Sequence, residues 1–231
     1  MGNEELSAKN PLRALGLKSD GTDERRSLGL VMARAGLGKT AILVQFALDC
    51  MLLGNKVLHV SIGESVEKTR SWYDDILGRL TEGESLSDIP AIMKNRMIMT
   101  FKESNFSNAK FEERLDDLVA QDIFCPDCLI IDGYDFDEND YKALEEFKSF
   151  MKDKGLKMVW FSAVSHRGDD RKSEAGVPAP CHEVDELFEN VLLIKPTDDA
   201  ILLDIVKCDS CGIEPGTQLS LDPSTMLIQK G

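Results

Sequence analysis

The chain has 231 residues, 42% of them hydrophobic, which is enough to bury the core of one α/β domain. Its formal charge of −14 excludes a general affinity for polyanions, so a nucleic-acid site would have to be a local basic patch. No apolar run approaches the roughly 20 residues of a membrane span, the polar start "MGNEELSAKN" fits neither a secretory nor a myristoylation signal, and the six cysteines read as reduced thiols of a cytoplasmic protein.

Residues 1–26, rich in Gly, Asp, Lys and Ser, read as a flexible lead-in, and 27–231 as a single domain. "LGLVMA" predicts a strand before a Gly turn, and "TAILVQFALDCMLLG" has the length of a helix that ends at Gly54. "KVLHVSI" is a second strand, followed by a helix striped by Trp72, Ile76 and Leu80. "RMIMTF" is a third, and Phe111, Leu115 and Leu118 then mark a helix that Ser107 or Asn108 could cap. "CLIID" is a buried strand, Leu144, Phe147 and Met151 stripe the next helix, and "LKMVWFSAV" returns as a strand. This alternation predicts a mostly parallel central sheet flanked by helices. Finally "NVLLIK", "AILLDIVK", "TQLSL" and "TMLI" follow one another across short turns, which predicts a C-terminal antiparallel meander.

The Gly turn, "VMARAGLGKTAIL", resembles the phosphate-binding loop G-x-x-x-x-G-K-[ST], with Ala33 in place of its first Gly. Gly36 and Gly38 allow the backbone to turn several N–H groups inward, and the helix that follows adds the positive end of its dipole. The loop from Ala33 through Arg34, Ala35, Gly36, Leu37, Gly38, Lys39 and Thr40 to Ala41 is therefore the candidate seat for the phosphates of ATP. Lys39 can reach the β- and γ-phosphates, and the Thr40 hydroxyl can hold Mg2+. "CLIIDGYD" ends a buried strand with Asp132, as a Walker B motif does, and supplies a carboxylate for the same metal. Asp135 reads as a loop acid.

Carrying these motifs, "ARAGLGKTAILVQFALDCMLLGNKVLHVSIGES" resembles the ATPase core of the RecA superfamily, shared by DnaB-type helicases, KaiC-like proteins and RadA-type recombination proteins. The resemblance continues through "LIIDGYD" and "MVWFSAVSH" to the C-terminal strands. It implies a RecA-like P-loop fold and Mg-dependent ATP hydrolysis linked to DNA replication, recombination or repair. Assembly into a ring or with a protein partner, and contact with single-stranded DNA, are implied as well. The separate N-terminal domain of the replicative helicases has no counterpart in so short a lead-in.

Three positions depart from the family pattern. Where a Glu activates the attacking water, this chain has Gly63, which leaves Glu64 as the candidate base or as an acid at a helix N-terminus. Where a Gln senses the γ-phosphate, it has Ser162 and Ala163, with Ser165 or His166 as substitutes. Where the family reads Lys-x-Arg, cations that reach a neighbouring subunit's nucleotide, it has Lys207 but Asp209. Together they imply slow turnover, or a nucleotide-dependent regulator with little hydrolysis and no DNA binding.

Two C-x-x-C pairs, Cys125–Cys128 and Cys208–Cys211, could form a zinc site, as could the second pair with Cys181 and His182; free thiols are the simpler reading. "SHRGDDRKSEAGVPAPCHEV" has no periodicity and holds a basic cluster of His166, Arg167, Arg171 and Lys172, diluted by Asp169, Asp170 and Glu174. With no aromatic residue to stack a base, it reads as a mobile loop before a DNA clamp.

Overall fold

A computed structural model describes residues 13, 15–16, 27–81, 89–137, 141–166, 168–209 and 213–229. In chain order the elements are β1 (Ser27–Ala33), α1 (Lys39–Leu52), β2 (Val57–Ile62), α2 (Val66–Leu80), α3 (Ile89–Met93) and β3 (Arg96–Phe101). They continue with α4 (Asn108–Ala120), β4 (Cys128–Asp132), α5 (Tyr141–Asp153), β5 (Met158–Val164), β6 (Asn190–Pro196), β7 (Ile201–Cys208) and β8 (Gln218–Leu221). The eight strands form one mixed sheet in the order β3-β2-β4-β5-β1-β6-β7-β8. Pairing is parallel from β3 to β6 and antiparallel from β6 to β8. The predicted α/β sheet and its C-terminal meander are both present.

Strand side chains alternate between two buried layers, as the pleat requires. Along β1, Val31 and Ala33 join one layer while Leu28, Leu30 and Met32 join the other. The first layer is closed by α1, α2 and α3, with Phe46 against Trp160 at a centroid distance of 4.5 Å. The second is closed by α4 and α5 through Phe111, Leu115, Leu144, Phe147 and Met151. Burying each such side chain contributes about 1.5–3 kcal/mol, which is why α5, polar on its other face, stays in place. Ser65 and Ser107 cap α2 and α4 by accepting the backbone N–H groups of Lys68 and Lys110.

The stripe on α2 is rotated from the predicted one: Tyr73, Ile76, Leu77 and Leu80 are buried, and Trp72 is only half-buried. "TMLI" makes a single bridge, Leu221 to Ile228, rather than a strand, so the meander has three strands. The non-periodic segment after β5 is folded, with short 3-10 turns at Cys181–Glu183 and Asp185–Leu187 and a bridge from Lys172 to Pro178. Of the predicted lead-in, Leu15 is buried, Arg13 pairs with Asp49 of α1 and the Gly16 N–H donates to the Arg13 carbonyl; the rest lies outside the described residues, as do Arg167 and Cys211.

Candidate nucleotide site

β1 ends at Ala33 and α1 begins at Lys39, so five residues must reverse the chain while keeping their N–H groups free of the helix. Gly36 and Gly38 make this turn with φ of +78° and +79°, a left-handed backbone that glycine adopts without strain. Gly38 is the N-cap of α1, and no side chain caps it. The helix thus presents its unpaired amides and the positive end of its dipole, an arrangement suited to an anion. Arg34, Ala35 and Gly36 are exposed, and Leu37 packs on the first core layer. Ala41 is buried in that layer, where it anchors the first turn of the helix.

Lys39 folds back over the turn, donating to the carbonyls of Arg34 at 3.3 Å and Ala33 at 3.5 Å. Burial pushes its ammonium below the ordinary lysine value, while the charge of Asp132 works in the opposite direction. A cation held in this way gains from any anion placed before it.

The Thr40 hydroxyl donates to Asp132 Oδ2 at 2.6 Å, across 92 residues of sequence. The Ser162 hydroxyl donates to the other oxygen, Oδ1, also at 2.6 Å, and accepts the Gly133 N–H at 2.9 Å. Strand order explains the meeting: β5 lies between β1 and β4, and its Ser162 stands beside Val31 in register. A hydroxyl and a carboxylate side by side are hard oxygen donors. They fit Mg2+, which takes one or two protein oxygens and completes its shell with water and phosphate. Among the described residues no group of three or more His, Cys, Asp or Glu side chains could hold a metal by itself.

These residues line one wall of a cavity of about 950 Å³ that runs across the carboxyl ends of β2, β4 and β5 toward α4 and α5. Its acids are Glu64, Glu103, Glu112, Asp132, Asp135, Asp137 and Glu146, against the cation Lys39, and His166 also lies on its wall. Tyr134 and Phe136 fix the loop after β4 by packing their rings on Phe161, at 5.2 and 5.9 Å between centroids. Asp135 accepts the Asp137 N–H at 2.9 Å, as a turn-forming loop acid does. Compared with protein-family models and with curated proteins, the chain matches none.

The remaining candidates divide. Glu64 lines the cavity but is exposed and paired with Lys68 one helical turn on, at 2.5 Å. His166 also lines it and sits 3.0 Å from Asp137. Lys207 is elsewhere: β7 runs antiparallel to β6, which puts Lys207 opposite Val191 at the far end of the sheet, donating to the Asp185 carbonyl at 3.3 Å. Asp209 is 3.9 Å from it. Within one chain, therefore, neither residue meets the phosphate-loop end.

Cys125, Cys128 and Cys181 are free thiols, and burial holds the Cys181 thiol well above its ordinary pKa. Cys208 is disulfide-bonded, which departs from the expectation of free thiols throughout. β4 and β7, which carry Cys128 and Cys208, are four strand positions apart, or about 19 Å at the usual spacing. One zinc ion with bonds of about 2.3 Å does not bridge that distance. Arg171 of the basic segment is held by Asp169 at 2.6 Å.

Sequence reading missed Glu103. It follows β3 by two residues and enters the cavity only because β3 lies beside β2 at the edge of the sheet, a pairing with no local signal.

Proposed function

We propose that the chain binds Mg·ATP and hydrolyses it slowly, as a RecA-like P-loop ATPase. The observation that carries this reading is the contact of Thr40 with Asp132, which joins the phosphate-loop and Walker B candidates at one helix N-terminus. The strand order, with β5 between the loop strand and the Asp132 strand, supports it too. In this reading the amides of residues 34–40 bind the phosphate chain, Lys39 neutralises its outer charges, and Thr40 with Asp132 would hold Mg2+. The metal would neutralise charge on the phosphates. Ser162 orients the Asp132 carboxylate.

The chain's own test is Lys39→Ala. The lysine is half-buried in the site and among the described residues makes no side-chain ion pair, so its loss should leave the fold intact and weaken Mg·ATP binding at least tenfold in calorimetry. Unchanged affinity would remove the phosphate-loop assignment.

A second reading rests on the charge pairs of the segment after β5. With Arg171 held by Asp169 and His166 beside Asp137, two members of its basic cluster are turned toward acids of the chain itself. This favours nucleotide binding that signals to a protein partner over work on DNA. Stimulation of turnover by single-stranded DNA would favour the first reading, and indifference to DNA the second.

A further inference from the structure

We propose that Glu103 is the carboxylate that activates the attacking water, a role that rests on the ATPase reading above. Hydrolysis of a phosphoanhydride is accelerated by a residue that orients the attacking water and takes its proton. Gly63, at the end of β2, cannot supply one. Its φ of +86° is a conformation that side chains rarely adopt, and a Cβ built there would lie 2.7 Å from Glu103 Oε1. The space beside Gly63 is therefore already filled by the Glu103 carboxylate.

That place adjoins the metal-ligand candidates. The Gly63 N–H donates to the Phe101 carbonyl at 2.9 Å, which ties the end of β2 to the segment that carries Glu103. On the other side of the same strand end, Ser61 stands in register with Asp132. A Cβ at Gly133, the residue after Asp132, would meet the Ile62 carbonyl at 2.5 Å. Glu103, Gly63, Ile62 and Gly133 thus form a continuous line of contacts that ends at Asp132 and, through it, at Thr40. Glu64 points differently, onto Lys68 in the first turn of α2. Glu112 and Glu146 line the cavity from α4 and α5, across the space rather than at the strand ends.

In the step itself, the water oxygen attacks the γ-phosphorus as its proton moves to a Glu103 carboxylate oxygen. The bond from the γ-phosphorus to the β–γ bridging oxygen breaks, and that electron pair leaves with ADP. The proton then passes from Glu103 to solvent or to the released phosphate, which restores the carboxylate.

The test compares Glu103→Gln with Glu64→Gln in the full chain. Mg·ATP affinity is measured by calorimetry, hydrolysis in a single turnover, and the identity of the bound nucleotide after acid quench. Glu103 is exposed, so its amide variant should melt at the unmodified temperature. Glu103→Gln should bind Mg·ATP within about threefold of the unmodified affinity, hydrolyse it about 10²–10⁴ times more slowly, and retain ATP rather than ADP. Glu64→Gln should slow hydrolysis at least tenfold less than Glu103→Gln does. Near-normal hydrolysis by Glu103→Gln, or an equal loss in Glu64→Gln, would overturn the assignment. So would ATP binding without turnover in the unmodified protein, which would leave the binding reading standing; no binding at all would overturn both.

Discussion

Asp132 has both carboxylate oxygens engaged, one by Thr40 and one by Ser162, and the Ser162 hydroxyl is itself buried. A hydrogen bond to a charged group is stronger than a neutral one, and removing one partner leaves the other without compensation. Ser162→Ala should therefore destabilise the fold by about 1–3 kcal/mol, because Asp132 loses a donor and the Gly133 N–H loses its acceptor. Chemical denaturation gives the answer directly. A midpoint unchanged from the unmodified protein would mean that water replaces the hydroxyl without cost. At this scale Lys39, Thr40 and Asp132 were legible because each sits in a local pattern whose residue types follow from phosphate and metal chemistry. The bridging position of Ser162 was half-legible, as a hydroxyl at a strand end. Glu103 was not legible, since nothing near it in sequence says which strand end it will face.

At the scale of elements, β2 and α2 are joined by a buried polar pair. His59 Nδ1 lies 2.9 Å from the Tyr73 hydroxyl, and the Arg96 guanidinium packs 4.5 Å from the Tyr73 ring centre. Burial pushes the His59 pKa down to about 4; Asp132 opposes the shift and Arg96 adds to it. In the unfolded chain the same imidazole titrates near 6.5. Between those values the unfolded chain binds a proton that the native one does not, so stability falls as pH falls from 6.5 toward 4. The loss should reach about 3 kcal/mol at the lower end. Asp169 and Asp222, held by hydrogen bonds down at about 2, act below the ordinary carboxylate value of 3.8 and so outside this window. Denaturant midpoints at pH 7.0, 5.5 and 4.5 should drop in the unmodified protein and drop less in His59→Gln; parallel lines for the two would refute the assignment.

Element positions were legible wherever hydrophobic period and capping agreed, as in α4 with Ser107 before Phe111 and Leu115. They were less so where tertiary contacts decided. On α2 the neighbouring Tyr73 takes the core place, with its hydroxyl on His59, and turns Trp72 toward the rim. After β5 the chain is ordered by local turns and a bridge rather than by any period, so pattern reading took it for a mobile loop.

For the whole molecule, the alternation of strands and helices announced a parallel sheet, but not the order of its strands. That order brings β5 between β1 and β4, Glu103 beside Gly63, and Lys207 to the end remote from the phosphate loop. It also gathers seven acids around the cavity, on a chain already at −14. Such a field repels a free polyanion, so the proposed nucleotide binding would depend on local compensation by Lys39, the α1 amides and Mg2+. Among the described residues no helix is long and apolar enough to cross a membrane. The proposed recognition of a triphosphate by this pocket rests on that compensation. The most direct measurement is calorimetric titration of the unmodified chain with ATP and with adenosine, each with Mg2+ and with the metal chelated. Saturable one-site binding of ATP, weakened at least tenfold by chelation and absent for adenosine, is the predicted result; adenosine binding as tightly as ATP, or no binding of ATP, would contradict it.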